Sequence, residues 1–93
     1  MDDIYKQAFD AYGMDENCGY LMEECGELLS AANKLRRGRV SEDAVIEELV
    51  DTYQVIMAFA QHFGYDRFLA VLSDKRQRLK ERIENIKTKE EQR

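Results

Sequence analysis

The words Glu23-Glu24-Cys25-Gly26-Glu27-Leu28 and Glu47-Glu48-Leu49-Val50-Asp51 decide how this chain is read. Each lies within an apolar-periodic segment that predicts a helix. Positions three apart on a helix are separated by about 60° around the axis and about 4.5 Å along it. Glu24 therefore shares a face with Glu27, and Glu48 with Asp51. Packed antiparallel, two such helices bring these carboxylates to one place. Anions crowded beside an apolar core repel one another unless a cation lies between them. Hard divalent ions such as Mg2+ take oxygen ligands of this kind. The spacing points to a divalent-cation site built from helical side chains.

Glycine punctuates the rest of the chain, which contains no proline. Gly13, Gly38 and Gly64 each follow an apolar-periodic stretch, and each precedes a residue suited to cap a helix: Asp15, Ser41 and Asp66. Helices are expected over roughly residues 2–12, 15–37, 41–63 and 66–88, with residues 87–93 fraying. Short connections make consecutive helices antiparallel neighbours, so the fold class is all-α, a four-helix bundle type. In a hairpin turning at Gly38, Glu27 lies level with Glu48 and Glu24 with Asp51. The short turn between the two acidic words is basic, with Lys34, Arg36, Arg37 and Arg39. Gly26, between Glu24 and Glu27, leaves room for a ligand or for a close helix neighbour.

The apolar stripe predicted for the segment 15–37 is Leu21, Cys25, Leu28, Ala32 and Leu35, with Glu24 at its edge. For 41–63 it is Val45, Leu49, Ile56, Ala60 and Phe63. Val50, Val55, Met57, Ala58 and Phe59 cover much of the remaining circumference. A helix apolar nearly all round is buried on every side. So short a chain can hardly cover it alone, and a homo-oligomer is expected, most simply a two-fold dimer. Leu72, Leu79, Ile83 and Ile86 mark a narrow heptad-like seam in the charge-rich last segment.

Composition sets outer bounds. Ninety-three residues make one domain at most, residues 1–93 here. A net charge of −5 argues against nucleic-acid binding. No apolar run is long enough for a membrane span. Met1-Asp2-Asp3-Ile4 lacks the apolar stretch of a secretory signal, so a cytoplasmic location is expected. Cys18 and Cys25 are seven apart, beyond disulfide reach on one helix, and read as reduced core-facing thiols. One histidine, His62, and no phosphate-loop or nucleophile-elbow word leave the carboxylates as the main chemical resource. His62 itself reads as a helix C-terminal or interface residue.

The pattern E-E-x-x-E, then about twenty residues, then E-x-x-D, resembles the MazG family of all-α nucleoside triphosphate pyrophosphohydrolases. The likeness extends over about residues 15–86 and holds at every acidic position of the motif. It implies a helical bundle completed by homo-oligomerisation, as a dimer or a dimer of dimers. It implies Mg2+-dependent (or Mn2+-dependent) cleavage of a nucleoside triphosphate between the α- and β-phosphates, giving monophosphate and pyrophosphate. Carried onto this chain, the metal ligands are Glu24, Glu27, Glu48 and Asp51, and Glu23 orients or deprotonates the attacking water. Lys75 and Arg78 on the fourth helix resemble the family's basic pair and would hold phosphate, with Arg82 continuing the row. Lys34 and the arginines after it lie nearer the turn, farther from the acidic words. Tyr20, Asn33, Tyr53, Phe59, Tyr65 and Phe68 are possible base contacts. Val55 departs from the polar or aromatic residue often found four places after the metal-binding Asp, which leaves base recognition open.

The same superfamily contains dUTP and dCTP hydrolases and the phosphoribosyl-ATP hydrolase. A ferritin-like di-iron protein would need Glu-x-x-His pairs, and no Glu here has His at +3. A non-catalytic helical adaptor or regulator with a vestigial site is the reading from a different class.

Overall fold

A computed structural model describes residues 4–92, all-helical apart from short connections and without a strand among those residues. Helix α1 spans Ile4–Arg36, α2 Glu42–Phe63 and α3 Tyr65–Glu91. Asp2 and Asp3 of the expected first helix, and Arg93 of the tail, lie outside the described residues.

The expected break at Gly13 is one residue wide, so the first two expected helices run on as α1. Gly13 is non-helical, at φ 81° and ψ 172°. A side chain there would be strained, and glycine is the residue that takes such a conformation. Asn17, only 3 % exposed, ties the kink together. Its side-chain amide donates to the carbonyls of Gly13 at 2.6 Å and Phe9 at 3.2 Å. Asp15 accordingly lies inside the helix rather than at its cap.

Helix α1 ends in a Schellman turn. Arg39 N–H donates to the Lys34 carbonyl at 2.8 Å and Gly38 N–H to the Leu35 carbonyl at 3.0 Å, with Gly38 at φ 68°. Ser41 then caps α2, its Oγ accepting from the Ala44 N–H at 3.2 Å. Glu42 and Asp43 place acidic charge in the first turn, where the helix dipole favours it. Helix α3 begins one residue earlier than expected, behind Gly64, and puts Asp66 in its first turn rather than at the cap.

The chain separates into two units, Met1–His62 and Phe63–Arg93. In the first, α1 and α2 form an antiparallel hairpin, and its inner line differs from the expected one. On α1 beyond the Gly13 kink the least exposed positions are Asn17, Leu21, Glu24, Leu28 and Ala31. On α2 they include Val45, Glu48, Thr52, Val55 and Phe59. Relative to the predicted stripes, Leu21, Leu28, Val45 and Ala60 stay inward. Cys25, Ala32, Leu35, Leu49, Ile56 and Phe63 are exposed. The two cysteines are free and exposed, contrary to the core-facing expectation. The reason is a small rotation: a 3–4 spaced line through Leu21 and Leu28 can include either Cys25 or Glu24, and the fold takes Glu24.

The densest packing is at the kink end of the hairpin. The Phe9 ring stacks on His62, centroids 4.0 Å apart, and meets Phe59 edge-on at 5.1 Å. Tyr5 meets Tyr53 edge-on at 6.3 Å. Met57, Ala58 and Ala60 are buried on α2. In the second unit α3 has no buried residue, and its seam residues Leu72, Leu79, Ile83 and Ile86 are exposed. Within it, Tyr65 and Phe68 stack and Gln77 donates to the Glu81 carboxylate at 3.4 Å.

If Asn17 fastens the kink, Asn17→Ala leaves two carbonyls without their donor and lowers the unfolding free energy by about 1–3 kcal/mol. Urea denaturation followed by circular dichroism reads this, and an unchanged midpoint would exclude the role.

Candidate functional site

The hairpin register puts the acidic words side by side. Glu24, Glu27 and Glu48 each offer a carboxylate oxygen, and these oxygens all lie within 4.8 Å of one another. Glu24 and Glu48 come from the inner lines of α1 and α2 and are half-buried, while Glu27 is exposed at the rim. One oxygen of Glu24 and one of Glu48, both Oε2, are shut off from solvent without a hydrogen-bond partner. A buried acceptor left this way costs free energy until something satisfies it.

Asp51 is exposed and stands outside that three-oxygen group, but it is close enough to act on both inner carboxyls. Glu23 is likewise exposed, and its charge acts on Glu24 and on the Tyr20 phenol. The hairpin thus gathers Glu24, Glu27 and Glu48 tightly, with Asp51 and Glu23 within electrostatic range. Lys75 and Arg78 are exposed on α3, in the second unit.

Both inner carboxyls titrate above the ordinary carboxylate range. Burial raises Glu24 most, followed by the charges of Glu27, Asp51, Glu48 and Glu23. Burial also leads for Glu48, followed by the charge of Glu27, a side-chain hydrogen bond with Glu27, and the charges of Asp51 and Glu47. Desolvation and like charge act in the same direction: each disfavours the anion. An all-oxygen donor set of this kind fits a hard divalent cation, which would meet the orphaned oxygens and cancel the repulsion.

Thr52 is a site residue absent from the acidic motif. It is 5 % exposed, and its hydroxyl lies 2.9 Å from the Glu48 carbonyl and 3.4 Å from the Glu24 carbonyl. One small side chain therefore links the backbone turns that carry the two inner carboxylates. A threonine bonding back to its own i−4 carbonyl is ordinary in a helix, so its sequence carries no signal of the cross-helix contact.

Lys34 is a second departure. It was expected to lie farther from the acids, nearer the turn, yet it lines the same shallow pocket as Glu27 and Glu48, together with Ser30, Ala31, Val40 and Ala44. Tyr20 and Tyr12 meet edge-on at 5.2 Å toward the kink, both exposed. Burden of charge falls on Tyr20 too: Glu16 leads in pushing its phenol up.

The chain matches no family profile, no characterised protein and no solved structure.

The raised carboxyls fix the sign of a pH effect. A group whose pKa is raised by folding stabilises the fold below its unfolded pKa, and that stability is lost as pH rises through the folded pKa. Without divalent ions, Glu48→Gln should therefore melt above wild type at pH 7, with the gap closing as pH falls toward the ordinary carboxylate range. Mg2+ should raise the wild-type melting temperature and leave Glu48→Gln nearly unmoved. Parallel pH profiles and equal Mg2+ responses in thermal scans would remove the inner site.

Proposed function

We propose that the chain is a Mg2+-dependent nucleoside triphosphate pyrophosphohydrolase of the MazG type, releasing monophosphate and pyrophosphate. The observation that carries this reading is the meeting of Glu24, Glu27 and Glu48, with two carboxylate oxygens hidden and unpartnered. A solvated acidic face would turn its oxygens to water. The acidic words also resemble the family motif at each of its acidic positions, and that resemblance suggests the reaction class.

When bound, Mg2+ (or Mn2+) would neutralise phosphate charge and stabilise the departing pyrophosphate. The chain's own residues do the rest. Glu24, Glu27, Glu48 and Asp51 hold the cation, and Thr52 ties together the backbone behind two of them. Glu23, next to Glu24 but outside the tight cluster, would orient a water and take its proton. The water oxygen bonds to the α-phosphorus, and the bridging bond to the β-phosphate breaks. Lys75 and Arg78 on α3 are the basic pair that the family resemblance assigns to phosphate.

A homo-oligomer belongs to the same proposal. Ile46, Leu49, Val50, Tyr53 and Ile56 leave one side of α2 about half exposed, and Met22 and Leu29 on α1 are 72 % and 74 % exposed. So much exposed apolar surface on one hairpin supports burial against a second copy. No helix among the described residues is long and apolar enough to cross a membrane.

Incubation with a panel of ribo- and deoxynucleoside triphosphates and Mg2+ should yield monophosphate plus pyrophosphate. Glu24→Gln should abolish the turnover, and diphosphate plus inorganic phosphate, or no product, would refute the assignment. For the assembly, Ile46→Lys should sediment as a monomer while wild type sediments as a dimer or larger.

A further inference from the structure

We propose that Lys34, with the Ser30 hydroxyl, binds the terminal phosphates of the substrate, so that the polyphosphate tail runs from the acidic cluster toward the hairpin turn. This rests on the triphosphate reading above and adds a direction to it.

The pocket at the turn end of the hairpin has a volume of about 300 Å³ and is bounded by Glu27, Ser30, Ala31, Lys34, Val40, Ala44 and Glu48. Glu27, Ser30, Ala31 and Lys34 follow the i, i+3, i+4, i+7 spacing of one helix face. Glu27 and Lys34 are two turns apart, roughly 10 Å along the axis. Helical side chains lean toward the N-terminus, over the preceding turn. The lysine on this face therefore leans back toward the acids rather than out over the turn. Its own backbone is pinned, because the Lys34 carbonyl accepts from both Arg37 and Arg39 N–H groups.

Charge changes sign along the pocket. The carboxylate end can take an anion only through a bridging cation, whereas the ammonium end binds an anion directly. The matching ligand has one cation-bridged phosphate followed by further bare phosphates. Size agrees: a volume at the low end of ligand pockets suits a phosphate chain better than a whole nucleotide. Small Ala31 and Ala44 side chains line the space between the two ends. The nucleoside would then extend the other way, past Glu24 toward the exposed Tyr20 and Tyr12. In this orientation the electron pair of the broken bridging bond passes to the pyrophosphate, beside Lys34, while the water proton passes to Glu23.

The test uses the full chain and inorganic tripolyphosphate as probe. Calorimetric titration in Mg2+ should show wild-type binding, a loss of about tenfold or more in Lys34→Met, and substantial retention in Lys34→Arg. The Mg2+-linked rise in melting temperature should be the same in all three. Equal tripolyphosphate affinity in Lys34→Met and wild type overturns the inference. Wild type with a normal Mg2+ response but no tripolyphosphate binding also overturns it, leaving the cation site standing. Loss of the Mg2+ response in wild type would instead strike the underlying reading.

Discussion

Glu24 and Glu48 stand on the inner lines of an antiparallel hairpin, where a structure concerned only with stability would place leucine. That placement organises the first unit. On one side of the acid layer, toward the kink, Phe9, Phe59, His62, Met57 and Ala58 provide ring stacking and buried apolar surface. On the other, toward the turn, Ala31 and Ala44 face a pocket rather than fill it. The packed end holds the helices in register, and the register determines which carboxylates meet. A shift of one turn along either helix would separate Glu27 from Glu48 and bring the inner carboxyls opposite apolar side chains.

Several local devices protect that register. The Gly13 kink, fastened by the Asn17 amide, turns the first part of α1 so that Phe9 reaches Phe59 and His62. The Schellman turn at Gly38 and the Ser41 cap set the length of the connection. Thr52 fastens the backbone at the acid layer itself. None of these contributes more than a few kcal/mol. Together they oppose the repulsion among the carboxyls, which burial and like charge push toward the protonated form. A proton or a divalent ion relieves the same repulsion, so cation affinity and pH are coupled through the same oxygens.

The apolar surface follows a related logic. Once the inner line is rotated to include Glu24, Cys25 and Leu35 turn outward on α1, and Leu49 and Ile56 remain outward on α2. Inner positions spent on carboxylates leave more apolar side chains outside than a hairpin of this size would otherwise show. The seam of α3 is exposed as well. Half-buried carboxylates and exposed apolar side chains are two consequences of one choice of helix face.

Helical periodicity, glycine punctuation and the E-x-x-E spacing were enough to determine an all-helical architecture, the turn at Gly38, the Ser41 cap and the meeting of Glu27 with Glu48, whereas Asp51, expected level with Glu24, stands outside the tight group. These depend on local propensity and on arithmetic along a single helix, which a linear sequence contains. Which of two adjacent faces turns inward is a different matter: Leu21 and Leu28 serve either line, and only packing against α2 chooses Glu24 over Cys25. The same holds for Asn17 across the kink, for Thr52 between two carbonyls, and for Lys34 beside the acids. Each depends on how residues distant in sequence, or on opposite sides of a break, are brought together, and no single-helix rule encodes that. The tertiary structure decided it because burial and hydrogen bonding are satisfied for the hairpin as a whole, not for either strand of residues alone.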